Sequence, residues 1–342
     1  MYQTHKINFH LPQSWNACTT SELEVIAATM IKHSLTATKW TPISFDDIKV
    51  ELFFLLTRIH PISLINPRVA VEEQYFECKK TYPNRWAKWK EDMKVKFGAE
   101  DYRQFNIYVW QVNSWMEKYM KWLNADSTPL NLTKFPYPIM KVGLLGKEFH
   151  GPSALLQDFS WKRFRFAQEY MDAYVRAENN LLYMQKHSSK FSNNDIIKQC
   201  KYVDLIRSQF LATIYCAKTK YVDEKTKNIV SDYVYVSNQH SDNAKYFRNF
   251  DVIQWQVITF WWTGMMTYLS QTYKHVYKKQ KLNSKDMTNF NPLSLYVCSM
   301  ATMEKYLGLS EDTINEQTFH ISLQHMENMA KENEEFEKSR SK

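Results

Sequence analysis

Apolar and polar positions change rhythm several times along the 342-residue chain, and the changes mark out its elements. At the N-terminus Ile7, Phe9 and Leu11 alternate with Lys6, Asn8 and His10, the two-residue period of a half-buried strand, until Pro12 stops it. A 3.6-residue period then takes over. Thr19 and Glu22 have the spacing of a capping box ahead of Leu23, Ile26, Ala27, Met30 and Ile31, which predicts a first helix. Ser44 and Asp47 repeat the signal before Ile48, Leu52, Leu55, Leu56 and Ile59, and Pro61 closes that second helix. Residues 66–98 are charged and aromatic without a clear period, which predicts a broken or surface-lying stretch. Phe105, Val109, Val112, Met116, Tyr119 and Leu123 form one long amphipathic stripe from Tyr102 onwards.

Residues 126–152 hold the densest group of breakers, Pro129, Pro136, Pro138, Gly143, Gly146, Gly151 and Pro152, and predict a small hairpin or a junction between lobes. Ser160 can cap a helix through Phe164, Ala167, Tyr170, Met171 and Tyr174 that runs to about Lys186. A polar linker over 187–194 leads to a helix from Asp195 to about Lys218, carried by Ile196, Val203, Ile206, Phe210 and Ile214. The tract 221–242 mixes charge with β-prone residues and is expected to be a surface excursion. Phe250 to about Tyr277 is the most apolar helix, with Ile253, Val257, Phe260, Trp261, Gly264 and Tyr268 on one face. Pro292 suits the first turn of a helix ending at Leu307 before Gly308. Ser310, Glu311 and Asp312 then start a last helix over Ile314, Phe319, Leu323, Met326 and Ala330, with residues 331–342 fraying into solvent.

The pattern predicts a mainly α, multi-helix, bundle-like fold with a short N-terminal strand and a small β element near residues 135–150. It divides into an N-terminal helical lobe (1–125), a Pro/Gly-rich junction (126–152) and a C-terminal helical lobe (153–342), or forms one continuous domain.

Composition narrows the function classes. Only six glycines are present, too few for many-stranded barrels or for phosphate-cradling loops. The aromatic share of 15% is high, and Trp and Tyr are enriched at binding surfaces. The net charge of +8 is spread over many residues and favours solubility and weak attraction to polyanions. Cys18, Cys78, Cys200, Cys216 and Cys298 stand far apart and form no C-x-x-C pair, so the expectation is a reducing compartment without a disulfide framework. The first residues lack the apolar core of an export signal, and Val257–Leu269 is too short to span a bilayer, so no membrane association is expected.

A search for chemistry finds little. His320 and His325 are five apart and point about 140° apart on a helix, so they do not make the zinc pair that a spacing of four gives. The nucleophile-elbow, P-loop and dinucleotide motifs are missing, and the paired acids Asp46–Asp47, Glu72–Glu73 and Glu334–Glu335 suit helix starts or solvated faces. No catalytic residue, metal site or cofactor is expected. Two basic-aromatic stretches, Lys79–Lys96 with Tyr82, Trp86 and Trp89, and Tyr273–Lys285 with Tyr277, have the make-up of a nucleic-acid surface. The stronger reading of both is a helix kept soluble by lysines whose stems cover apolar area. The run Trp255, Phe260, Trp261, Trp262 and Tyr268 reads as core rather than as a ligand box.

Four segments carry a resemblance. Leu11–Ala27 (LPQSWNACTTSELEVIA), His150–Tyr174 (HGPSALLQDFSWKRFRFAQEYMDAY), Leu205–Cys216 (LIRSQFLATIYC) and Ser294–Met326 are together similar to proteins encoded in the structural-gene regions of Bacteroidetes phages and prophages. The second departs from that family's acid-aromatic order at Arg163, Phe164 and Arg165, and in the third AKTKY replaces the basic and proline residues that often follow. The resemblance covers about half the chain. It implies a non-enzymatic structural or tail-assembly protein: a component of the tail or head-to-tail ring, or a tail-assembly chaperone. Its partners would be other phage structural proteins or copies of itself, in the virion or the cytoplasm of the bacterial host. A ring protein would bury Trp86, Trp89, Tyr108 and Trp110 between neighbours, whereas a chaperone would offer its last helix through Phe319, Leu323 and Met326. The alternative is a nucleic-acid-binding protein that uses residues 79–96 and 273–285.

Overall fold

The structure, a computed structural model, describes residues 10–36, 45–58, 114–123, 131–143, 146–222, 229–277 and 303–340. The predicted N-terminal strand, residues 66–98 and the starts of the helices expected from Tyr102 and Pro292 lie outside these. The fold is mainly α with a small antiparallel sheet. The chain forms two compact units, residues 1–132 with 252–264, and residues 133–251 with 265–342. Among the described residues no helix is long and apolar enough to cross a membrane.

In the first unit the capping box forms as its spacing predicts: Thr19 N donates to Glu22 Oε2 at 2.7 Å, and Glu22 N donates back to Thr19 Oγ1 at 3.3 Å. It starts α1 (Thr20–Thr36), which packs on α2 (Phe45–Thr57) and buries Leu23, Ile26 and Ala27 as α2 buries Leu52 and Phe53. Between the two helices Glu51, almost wholly buried, takes Lys32 Nζ at 2.7 Å and His33 Nε2 at 2.8 Å. Trp15 packs edge-on to Trp122 at 5.2 Å and against Phe260 at 5.6 Å. Residues 114–119 are helical and the chain turns at 121–123, so the stripe expected to reach Leu123 stops short of it.

In the second unit β1 (Ile139–Val142) and β2 (Lys147–His150) make the hairpin expected from the Pro/Gly cluster. Gly143 and Gly146 both take positive φ at its turn, which a side chain would strain. The sheet goes further than the sequence suggested. The helix expected to run to Lys218 ends at Ile214, and Cys216–Val222 (β3) pairs with β2 and then with Ile229–Tyr233 (β4), giving the order β1-β2-β3-β4. Of the tract 221–242 the described residues include the end of β3, the edge strand β4 with Ile229 exposed, and the start of a short helix, so the expected surface tract carries strand structure.

Helices α3 (Trp161–Lys186) and α4 (Asn193–Ile214) form a long hairpin, capped by Ser160 and by a Ser192–Asp195 capping box. Helix α5 (His240–Tyr246) packs on α4. Helix α6 (Val252–Thr272) is shorter at each end than predicted. The last predicted helix is two, α7 (Glu311–Glu316) and α8 (Phe319–Arg340). The break comes at Gln317 and Thr318, where Gln317 is extended, its carbonyl accepts from Trp161 N at 2.8 Å, and Thr318 bridges to Ser160. Beyond the break α8 stays helical to Arg340, so the expected fraying does not start at Lys331.

Candidate functional site

The most elaborate polar cluster lies at the start of α3. Ser160 Oγ accepts from Arg163 N at 3.3 Å, which sets Arg163 in the first turn with its side chain turned inward and 3% exposed. Its Nε donates to Thr213 O at 2.9 Å, and Nη2 donates to Ile214 O at 3.1 Å and to Cys216 Sγ at 3.2 Å. Nη1 donates to Asp158 Oδ2 at 2.9 Å, while Asp158 is itself held by Ser153 N and Ser153 Oγ. The guanidinium also lies over the Phe159 ring at 3.9 Å. Arg163 therefore satisfies the last carbonyls of α4 and fixes the turn into β3, which is why that helix ends where it does.

Beside it opens a cavity of about 290 Å³ lined by Asp158, Lys162, Arg163, Cys216, Tyr235 and Glu316, among others. Burial pushes the Cys216 thiol above its ordinary value, and Arg163 offsets only part of that. A thiol held in its protonated form is a poor nucleophile. Burial also pushes Tyr235 up to about 12. His240, buried at the start of α5, stacks on Tyr170 at 5.4 Å, and its Nδ1 is 3.5 Å from Tyr235 Oη. Its Nε2 has no partner among the described residues, and burial holds its imidazole below the ordinary value. On the sheet, Glu148 takes Tyr233 Oη at 2.7 Å and His150 Nε2 at 3.0 Å, and the His150 and Tyr233 rings stack at 3.4 Å. Hydrogen bonds from Tyr233 and then His150 hold the Glu148 carboxyl below the usual range. These contacts tie β2 to β4 across β3.

The residues singled out in the sequence fall in different places. Trp86, Trp89, Tyr108 and Trp110 lie outside the described residues, as does the stretch 79–96. Phe319 and Leu323 are core: Phe319 is fully buried and stacks on Phe164 at 4.5 Å. Phe319 and Leu323 are thus spent within the chain, Met326 is half-buried, and Ile321 and Phe336 of the same helix stay exposed. Tyr273, the first ring of the second basic-aromatic stretch, is buried with its hydroxyl 2.9 Å from His320 Nδ1, and His320 Nε2 is 2.7 Å from Leu155 O. It is not offered for stacking on a base. Glu327 accepts from the backbone N–H groups of His275 and Val276, and Glu334 Oε2 lies 2.9 Å from His275 Nδ1, so the acids of α8 fasten it to the end of α6. Among the described residues no three His, Cys, Asp or Glu side chains gather as a metal ion would require.

A different kind of surface lies at the far end of the α3–α4 hairpin. Near the sheet α3 buries six of its first fourteen residues and α4 seven of its last nine, but beyond Tyr174 the buried positions of α3 are only Ala177 and Met184, and α4 has none before Ile206. Gln199 Nε2 donates to Ala177 O at 2.8 Å, which holds the two helices to each other there. Val175, Leu182, Tyr183, Ile197 and Tyr202 are left about half exposed, next to Lys186, Lys190, Lys198 and Lys201. The sequence pattern predicts the core-facing stripes of this segment, since helix periodicity identifies the inner face and says nothing of apolar residues kept on the outer one. Comparison of the chain with family models, curated proteins and solved structures finds no match.

Proposed function

We propose that the chain works without catalysis, by docking to other proteins during the assembly of a phage particle or within one. The observation that carries the docking half is the far end of the α3–α4 hairpin, where Leu182, Tyr183 and Ile197 stay in water although a helix of this length has room for polar residues there. Exposed aromatic and aliphatic side chains beside lysines are the make-up of an interface core with a charged rim. The polar clusters support the same reading from the other side. Arg163, Glu148, Glu327 and His320 direct their bonds at the chain's own backbone and side chains, so each has an architectural task. The phage setting rests on the resemblance of four sequence segments.

The test is a tagged chain recovered from cells in which particles are being made, with the co-purifying proteins identified by mass spectrometry. Structural proteins of the particle are expected with the natural chain and are expected to be lost with Leu182→Asp/Ile197→Asp. Recovery of the same proteins by both chains, or of none by either, would contradict the reading. Mass spectrometry of purified particles then separates a resident component from an assembly chaperone.

A further inference from the structure

We infer that one partner of the hairpin end is a second copy of this chain, which receives it on an acidic, apolar corner formed where residues 303–310 meet α7 and α8. The inference rests on the docking reading above and names a partner for it.

The corner is built by a turn. Helical residues 303–307 stop at Gly308, whose φ of +65° reverses the chain, and the turn leaves Tyr306 45% and Leu309 39% exposed. Ser310 caps α7, and Glu311 and Asp312 follow it into solvent with no cation bound to them among the described residues. Tyr306 Oη donates to Glu332 Oε1 at 3.1 Å, which brings an exposed acid of α8 to the same place. Tyr306 and Leu309 thus have Glu311 and Asp312 next along the chain and Glu332 on the Tyr306 hydroxyl, against two exposed bases, Lys305 and Lys331, so the corner is acidic on balance.

The hairpin end is its counterpart in sign and in kind. Leu182 and Ile197 are 57% and 51% exposed, and Lys186, Lys190 and Lys201 make no ion pair among the described residues. The acids nearby are already engaged: Asp195 closes the capping box with Ser192, and Glu178 takes the Tyr174 hydroxyl at 2.6 Å. Lysines facing lysines would repel, so two hairpin ends do not suit each other, whereas hairpin against corner sets apolar on apolar and base on acid. Because the two surfaces differ, the contact is head-to-tail. Repeated, it closes into a ring or continues as a filament, and an open oligomer keeps one free surface of each kind, one at each end, until closure.

Sedimentation velocity of the full chain over a wide concentration range tests this. The natural chain is expected to assemble, and raised salt is expected to shift it towards monomer. Lys186→Glu/Lys190→Glu and Glu311→Lys/Glu332→Lys are each expected to stay monomeric alone. Mixed together they are expected to assemble again, because the reversed hairpin of one fits the reversed corner of the other, and that recovery shows that both variants are folded. A natural chain that is monomeric throughout, variants that assemble alone, or a mixture that does not recover would each overturn the inference. If self-assembly fails while the particle proteins are still captured, this inference falls and the docking reading stands; if both fail, both fall.

Discussion

At its base the α3–α4 hairpin buries Trp161, Arg163, Phe164, Phe210 and Ile214, and one guanidinium there closes the turn from α4 into β3. At its far end the hairpin buries only Ala177 and Met184 of α3 beyond Tyr174 and nothing of α4 before Ile206, and Leu182, Tyr183 and Ile197 are about half exposed. The base shows how side chains behave when the fold needs them: every polar atom of Arg163 finds an acceptor within the chain. The far end shows apolar side chains that the fold does not need, since removing them opens no core. On the docking reading proposed above, stability and docking belong to opposite ends of one element, and substitutions are expected to separate them.

The largest effect is expected at the base. Arg163→Ala leaves the buried carbonyls of Thr213 and Ile214 without this donor and should cost about 2–5 kcal/mol in chemical denaturation, the exposed Asp158 adding little. Phe319→Ala, which empties a fully buried site against Phe164, should cost a similar amount, about 3–5 kcal/mol, by the same measurement. A loss below about 1 kcal/mol at either site would mean that the base is not the anchor described.

An intermediate effect is expected from pH. The imidazole of His240 is held below its ordinary value by burial, so the unfolded chain takes up a proton there before the folded one does. Its contribution to stability is complete above the unfolded value of about 6.5 and is lost as pH falls through the lower folded value. Thermal melting between pH 7.5 and pH 5 should show a fall in Tm that His240→Phe reduces; an unchanged slope would remove His240 as the cause. The smallest stability effect is expected at the far end, where Leu182→Asp should change the unfolding free energy by no more than about 0.5 kcal/mol. A large loss there would show that the hairpin end is structural after all.

What the sequence revealed follows from how far apart the partners are. The Thr19–Glu22 box and the Ser160 and Ser310 caps were legible because donor and acceptor sit three residues apart. Strands β3 and β4 were not, because β3 finds its first partner at residues 149–150, more than sixty positions back, and its lysines blur the apolar alternation. Arg163 stood out only as a departure from a resembling pattern, since its acceptors are backbone carbonyls fifty residues away that no side-chain motif marks. The apolar stripe of α8 was read correctly as a stripe, but periodicity does not say whether the surface it meets belongs to the same chain. Phe319 and Leu323 meet their own core, while Leu182, Tyr183 and Ile197 of α3 and α4 stay exposed.

The most direct test of the central claim is quantitative mass spectrometry of proteins captured by the tagged chain from particle-producing cells, with the natural sequence beside Leu182→Asp/Ile197→Asp and with matched melting temperatures. The account predicts that the particle's structural proteins come down with the natural chain and fall at least tenfold with the variant. Equal capture by the two chains at equal stability would contradict it.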